Sequence, residues 1–449
     1  MTERTQRVPV RELLALVGAE HVILDPAAQV KFLRDFSWYS PLLTHAFSDV
    51  PCDAIVQPGT LAELREIVAL AVRARVPLTL RGAGTGNYGQ SLPLHGGILV
   101  DIRRLNRIVA LEPTRITVEG GIILGAAEEA ARQYGREFRV LPSTYRRATA
   151  AGFVAGGSGG IGSVAYGSLW DGNVLACELY TAEDPPRTLT VRDPELENLL
   201  HTYGVAGVIA TVTFPLVPAR PWAQGVAIFP QFEAAARFGW TIGLDDTIAK
   251  RLVSLQEAPI PTFFEAVDHL FQPHESAVLL MVDERQVGAT QALVAAAGGR
   301  YLSWPERPDI TQFPFSHTIL WGKHHDPSYT WLQCEFAPAP RFFAQLQQIK
   351  ERFGDGFLHH VEFHRSGPAL RPMGIPLLTR SEPAFVDAVM AYCEQIGVTV
   401  MNPHTYVVEE GGHLRDLPKL LAFKAQTDPY GILNPGKVAN RFYAGAVGR

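Results

Sequence analysis

The stretch LTLRGAGTGNYGQSLP, residues 78–93, decides how the first half of this sequence is read. It holds Gly84-x-Gly86-x-x-Gly89 directly after a strand-like run, which is the glycine spacing of a Rossmann dinucleotide fingerprint. That fingerprint works only where the glycine turn opens a helix whose N-terminus faces the pyrophosphate. Here Pro93 and Gly96-Gly97 follow at once and break any helix, and a new strand begins near Ile98. The acidic residue expected roughly 20 positions on to hold a ribose does not fit either, because Asp101 comes too early. A second match, Gly157-x-Gly159-x-x-Gly162, fails the same test. A nicotinamide-linked dehydrogenase therefore ranks behind other readings. The backbone amides of Gly82 to Gly86, with little side-chain bulk, can still form a nest that cradles a pyrophosphate without a helix dipole. The plain alternative is a glycine turn between two strands.

The bulk properties narrow the class. At 449 residues the chain is too long for one ordinary core, and its 47% hydrophobic content suits well-buried domains. Its 40 basic and 45 acidic side chains carry no long single-sign block, which argues against nucleic acid as a partner. The amino-terminal MTERTQRVPVRELLALVG alternates charged and apolar residues and does not read as a signal peptide. No apolar run approaches the ~18 residues of a membrane span. Cys52, Cys177, Cys334 and Cys393 lie far apart without metal or redox spacing. The expectation is a soluble, cytoplasmic protein with buried thiols.

Along the chain, DAIVQP (53–58) reads as a strand and TLAELREIVALAVRARV (60–76) as a helix, with Thr60 and Glu63 spaced as a capping box. Short β-branched runs follow at 97–102, 108–113 and 115–121, a helix at 124–135, and a strand at 207–218. Composition changes near Pro221. Strand-like QGVAIFP, RLVSLQEA and ESAVLLMVD then alternate with helix-like FEAAARFGW, PTFFEAVDHLF and GATQALVAAAGG. A second such set runs through YTWLQCEFAP, PRFFAQLQQIKERFG, GFLHHVEFHRS, EPAFVDAVMAYCEQIG and VTVMNPHTYVVE. The fold class read from this order is α+β, with an antiparallel sheet and helices on one face of the second half.

Residues 51–111, from PCDAIVQP to RLNRIVAL, resemble the FAD-binding domain of the vanillyl-alcohol oxidase and p-cresol methylhydroxylase (PCMH-type) flavoproteins. The likeness continues in order through ITVEGGIILGAAEEAARQYG, LPSTYRRATAAGFVAGGSGGIGSVAYGS, DGNVLACELYTA and YGVAGVIATVTFPLVP, and closes with DPYGILNPGKV. It implies a two-subdomain FAD-binding domain over 1–221, a substrate-binding cap over 222–413, and a segment, 414–449, returning to the first domain. It also implies that Arg81, Gly82, Ala83, Gly84, Thr85, Gly86 and Asn87 wrap the FAD pyrophosphate. Pro142, Ser143 and Thr144, with Thr149, Ala150, Ala151 and Gly152, would line the ribityl and isoalloxazine side. Gly156, Gly157, Gly160, Ile161 and Gly162 would let backbone approach the cofactor, and Val208 and Ile209 would meet the adenosine half. Several relatives tether flavin through a histidine in the first glycine loop; Thr85 stands there, so non-covalent FAD is expected, the alternative being a tether through a cap histidine, His360, His364 or His404.

Catalytic candidates come from the second half. Strand alternation in GFLHHVEFHRS puts His360, Glu362 and His364 on one face, the alternative being an ordinary solvated polar face. In NPHTYVVEE, His404 and Tyr406 share a face if that run is a strand. Such groups suit a flavoenzyme that needs a base for a substrate hydroxyl while hydride leaves for flavin N5. His-x-Glu-x-His could equally hold a divalent metal. Relatives acting on 2-hydroxy acids carry a His-x-Gly-Asp-Gly-Asn signature that is missing, and VEEGG places Glu410 where they have histidine. His324 and His325, before Pro327, read as loop. The lead-in LLALVGAEHVILDPAAQVKFLRDFS resembles the 2-hydroxy-acid branch, so a small 2-hydroxy acid is the first substrate expectation and a phenolic or benzylic alcohol the second. The electron acceptor is left open between oxygen, a quinone and a carrier protein. A homodimer, or a role as the FAD-binding subunit of a larger electron-transfer complex, is compatible with the sequence.

Overall fold

The computed structural model describes residues 8–439; the first seven residues of the amino-terminal stretch and residues 440–449 of the last segment lie outside the described residues. The helix Leu61–Ala74 starts as its sequence dictates. Thr60 Oγ1 accepts from the Glu63 amide at 3.1 Å, and Glu63 Oε2 accepts from the Gly59 amide at 2.7 Å, so both halves of the capping box form. Its buried Leu64, Ile67, Val68 and Ala71 share a core with a four-stranded sheet ordered Val22–Ile23, Ala54–Val56, Ile98–Asp101, Leu78–Arg81. The last three strands are parallel. Beside them stands a six-stranded sheet centred on the long strand Val208–Pro218.

The second half builds an eight-stranded sheet from Trp222–Phe229 to Thr399–Met401, antiparallel in every pairing. Alternate residues of its central strands serve different cores. Ala227, Phe229, Val253, Leu255, Val278 and Leu280 pack with helices Phe232–Leu244, Arg341–Phe353 and Pro383–Gln395. Val226, Ile228, Leu252, Ala277 and Leu279 face the other way, into a core shared with Tyr88 and Tyr203 of the amino-terminal half. Burying a side chain such as Phe229 contributes about 1.5–3 kcal/mol. The sheet is therefore glued to its helices on one side and to the first half of the chain on the other.

Several expected elements differ. PTFFEAVDHLF is not an α-helix but two short 3-10 turns, Ile260–Phe263 and Asp268–Leu270. Pro259 and Pro261 remove amide donors, and burial of Phe263, Phe264, Val267 and Phe271 decides the path instead. The run VTVMNPHTYVVE is a strand only over Thr399–Met401, so His404 and Tyr406 lie beyond it and share no strand face. Asn402-Pro403 ends the ladder, because proline cannot donate to it. His324 and His325 are not loop residues; they close the helix Ser316–His325, and His325 stacks on Phe263 at 4.0 Å. YTWLQCEFAP divides into Thr330–Trp331 and Gln333–Glu335, which join different sheets. The Gly-rich run after residue 140 contains the helix Ala150–Gly156, capped by Thr149 Oγ1, and the single turn Ser163–Tyr166.

Candidate functional site

Between the first half of the chain and the eight-stranded sheet lies an elongated cavity of about 1340 Å³, its open mouth included. Its lining runs from the glycine loop of the first half to Phe315, Trp331 and Ile375 of the second, so one space meets both halves of the chain. One wall is the opening stretch: Gly82, Ala83, Gly84, Thr85, Gly86 and Asn87 all line it. Gly84 stands at φ +66°, where a side chain is strained, and the loop stays close to bare backbone. Pro142, Ser143, Thr144, Thr149, Ala151, Gly152, Gly156, Gly157 and Ile209 continue the lining.

The remaining positions named from the sequence lie behind this surface. Arg81 is buried and donates to Ser91 Oγ at 3.1 Å and to the Arg34 carbonyl at 2.8 Å. Ala150 is enclosed in the core, and Val208 pairs with Tyr180 in the six-stranded sheet. Ile161 bridges to Leu141, while the amides of Gly160 and Gly162 bond Ser163 Oγ and the Arg251 carbonyl.

His360, Glu362 and His364 share a strand face turned toward the first half, and all three are buried, which overturns the solvated-face alternative. None of the three lines the cavity. His360 Nε2 meets Glu362 Oε1 at 2.6 Å, and that oxygen also accepts from Ser254 Oγ at 2.7 Å and the Phe315 amide at 2.9 Å. Among the described residues no group of three or more His, Cys, Asp or Glu side chains is arranged to hold a metal ion.

His404 Nδ1 bonds Ser40 Oγ at 2.8 Å, and Tyr406 packs on Phe47 beneath the Lys437 ammonium. Both stand outside the lining. Burial lowers His404 to about 4. The unfolded chain takes up that proton near pH 6.5, and the fold resists it until about pH 4. His404 thus contributes stability above pH 6.5 that is lost as pH falls toward 4, in total about 3 kcal/mol. Replacing His404 with asparagine is expected to flatten the stability–pH slope between pH 6.5 and 4 by close to one proton. Denaturant titrations across that window check this, and an unchanged slope would remove His404 from the acid response.

The residues that do close the inner end were not singled out from the sequence. Tyr88 donates to Gln333 Oε1 at 2.5 Å, and His413 Nε2 reaches the same oxygen at 3.3 Å. His201 shares its Nδ1 hydrogen with the Gly157 carbonyl at 3.1 Å, and its ring stands 4.1 Å from that of His413. Its Nε2 is buried without a partner. Burial lowers His201 to about 4, so at neutral pH that nitrogen keeps its lone pair. Tyr88, His201, Tyr203, Phe315, Trp331, Gln333 and Ile375 line this end, and no lining side chain among the described residues is charged. His201 and Tyr203 adopt φ of +55° and +57°, uncommon for residues with side chains and a mark of functional turns. A Tyr directly beyond the nest, in GNYG, was the one signal in the sequence for this wall.

These features fit FAD: a bare backbone cradle for a pyrophosphate, small residues along a flat-ring slot, and an unpartnered buried acceptor in the wall. The FAD binding domain family matches residues 51–184. The glycolate oxidase subunit GlcD of Escherichia coli (strain K12) is 30% identical over 224 residues, 48% of this chain and 42% of that protein. The chain thus spans less than half the length of that relative. A probable mitochondrial D-lactate dehydrogenase of Danio rerio is 27% identical across 97% of this chain and 92% of its own. Among solved structures, p-cresol methylhydroxylase superimposes with a TM-score of 0.70 at 15% identity, covering 97% of both chains. Residues 51–184 are an FAD-binding domain, and FAD is the cofactor. The chain as a whole shares its fold with p-cresol methylhydroxylase. Among the described residues no helix is long and apolar enough to cross a membrane.

Proposed function

We propose that the chain is an FAD-dependent oxidoreductase converting the hydroxyl of a small molecule to a carbonyl, with a 2-hydroxy acid as the favoured substrate. The observation that carries it is the single cavity joining the glycine nest to a buried wall with a bare nitrogen acceptor at His201. The names of the glycolate oxidase subunit and D-lactate dehydrogenase relatives support the substrate class. Residues 1–221 would carry the cofactor, 222–413 the substrate wall, and 414–449 would return to the first domain. Gly82 to Gly86 would hold the pyrophosphate with backbone amides. FAD supplies a two-electron acceptor for the substrate's C–H hydrogen. His201 Nε2 would accept the hydrogen bond of the substrate hydroxyl, held in place by Gly157 and backed by the His413 ring. Tyr88, fixed by Gln333, would close the same end against water.

A second reading, a phenolic or benzylic alcohol, is favoured by one observation: the substrate end is aromatic, and among the described residues no lysine or arginine lines it to pair a carboxylate. Unpaired buried cysteines agree with a cytoplasmic setting. Oxygen, a quinone or a carrier protein would take the electrons. One experiment separates these readings. Purified protein is mixed anaerobically with glycolate, D-lactate, D-2-hydroxyglutarate and a panel of benzylic alcohols, and flavin bleaching is recorded. Acid precipitation beforehand should release the flavin, as Thr85 offers no tether. Bleaching by the acids supports the first reading and bleaching by the benzylic alcohols alone the second. No bleaching by either set, with flavin bound, would sink both.

A further inference from the structure

The His360–Glu362 pair has the chemistry of a catalytic dyad but the position of a scaffold. It sits on the strand His360–Ser366, both side chains essentially unexposed, one layer behind the cavity wall. Its contacts outward go to two wall residues. Glu362 Oε1 accepts the backbone amide of Phe315 at 2.9 Å. His360 donates through Nδ1 to the Ile375 carbonyl at 3.1 Å, and the Ile375 amide returns to the His360 carbonyl at 2.9 Å.

Phe315 needs such a hold. Its backbone stands at φ +55°, ψ −136°, a conformation that L side chains rarely adopt. It leads directly into the helix Ser316–His325, so its placement also sets where Ser316 and Ile319 meet the cavity. On the carboxylate side, Ser254 Oγ also donates to that oxygen and is itself fixed by Gln256 at 2.9 Å. A buried oxygen engaged by His360, Ser254 and the Phe315 amide is rigid, because withdrawing any partner leaves a buried polar group unsatisfied.

We propose that the His360–Glu362 pair sets the size limit for substrates by locking Phe315 and Ile375 into the apolar wall of the cavity. The pair is a positioning device and touches no reacting atom. This rests on the reading above only in taking the inner end of the cavity as the substrate end.

The test uses neutral ligands without an oxidisable hydroxyl: benzamide and its 4-methyl, 4-ethyl and 4-butyl homologues. Their dissociation constants are read from the shift of flavin absorption in the holoprotein. Wild type should bind benzamide and discriminate steeply against the longer homologues. Phe315→Gly, which suits the positive φ, should improve the 4-butyl-to-benzamide ratio by about tenfold or more. Glu362→Leu removes the acceptor and should move the ratio the same way, while Glu362→Gln, which keeps a carbonyl oxygen for the Phe315 amide, should restore the wild-type order. If Glu362→Leu does not fold, Glu362→Asp draws the carboxyl group back by one methylene, and the same shift is expected. A wild-type ladder in the Leu or Asp variant overturns the proposal, as does a Phe315→Gly ladder identical to wild type. Failure of benzamide to bind wild type overturns it too. A ladder that shifts as expected in a protein that no hydroxyl substrate bleaches leaves this inference standing and removes the oxidoreductase reading instead.

Discussion

Protein carrying Gly84→Val is expected to purify colourless and to bind added FAD at least about a hundredfold more weakly than wild type. Gly84 holds φ +66°, and a Cβ there would stand 2.0 Å from Arg81 Nη2. Arg81 cannot swing aside cheaply, since its guanidinium is buried and bonded to Ser91 Oγ and the Arg34 carbonyl. The loop must therefore move, and it is the loop that lines the cavity and is proposed to hold the pyrophosphate. A strained β-branched residue at this φ costs about 1–3 kcal/mol before any amide is misplaced, and a loss near 3 kcal/mol is already a hundredfold in Kd. The control is Gly135→Val. Gly135 has φ +72° with nothing within 4 Å of an added Cβ, and it does not line the cavity. It carries the same backbone penalty without touching the nest, so it should lose stability yet remain yellow. Flavin absorbance per protein and titration of the apoprotein with FAD read both variants. A yellow Gly84→Val protein with wild-type affinity would mean that the nest is not where the pyrophosphate lies.

This result turns on a feature legible in the sequence, and the reason is that its signal is local. A capping box, a bare glycine loop and a period-two alternation are each written in a few consecutive residues. Thr60 and Glu63 bond as their spacing requires, the glycine run 82–86 lines the cavity, and His360, Glu362 and His364 share a face. What the sequence withheld was depth. Alternation gives the face of a strand but not what covers it, so a triad that could be solvated or catalytic proved to be neither exposed nor at the cavity surface. The wall itself is assembled from Tyr88, His201, Phe315, Trp331, Gln333 and Ile375, brought together from distant parts of the chain. Two of these, His201 and Phe315, depend on positive φ at residues with side chains, which no propensity foretells. His404 was misplaced for the same reason. Its β-branched surroundings promised a strand, and Asn402-Pro403 turned the chain away.

Arg251→Met is expected to lower stability by about 3–5 kcal/mol and to loosen the second half of the chain from the first. Arg251 lies on the strand Lys250–Gln256 of the eight-stranded sheet, yet its side chain crosses into the first half. There its Nη2 donates to Glu128 Oε1 at 2.9 Å and to the Phe138 carbonyl at 3.2 Å, and Nη1 stands 3.5 Å from Glu137 Oε2. Burial works against its charge, but Glu128 and Glu137 outweigh it and raise its pKa. Its own carbonyl accepts from the Gly162 amide at 2.7 Å, so backbone and side chain cross the same boundary. Methionine fills the space but leaves two nearly unexposed carboxylates facing it. Arg132, which pairs with both from the surface side, offsets part of the loss and argues for the lower end of the range. Replacing a whole buried ion cluster is cheaper than breaking one, so Arg251→Met with Glu128→Gln and Glu137→Gln should recover much of the stability. Urea titrations followed by far-UV circular dichroism and by flavin fluorescence report the fold and the docking separately. In wild type the two transitions should coincide; in Arg251→Met the flavin should be released at lower urea than the fold is lost. Coincident transitions at the wild-type midpoint would show that the boundary is held by its apolar core, with Val226, Leu252, Tyr88 and Tyr203 sufficient without the ion cluster.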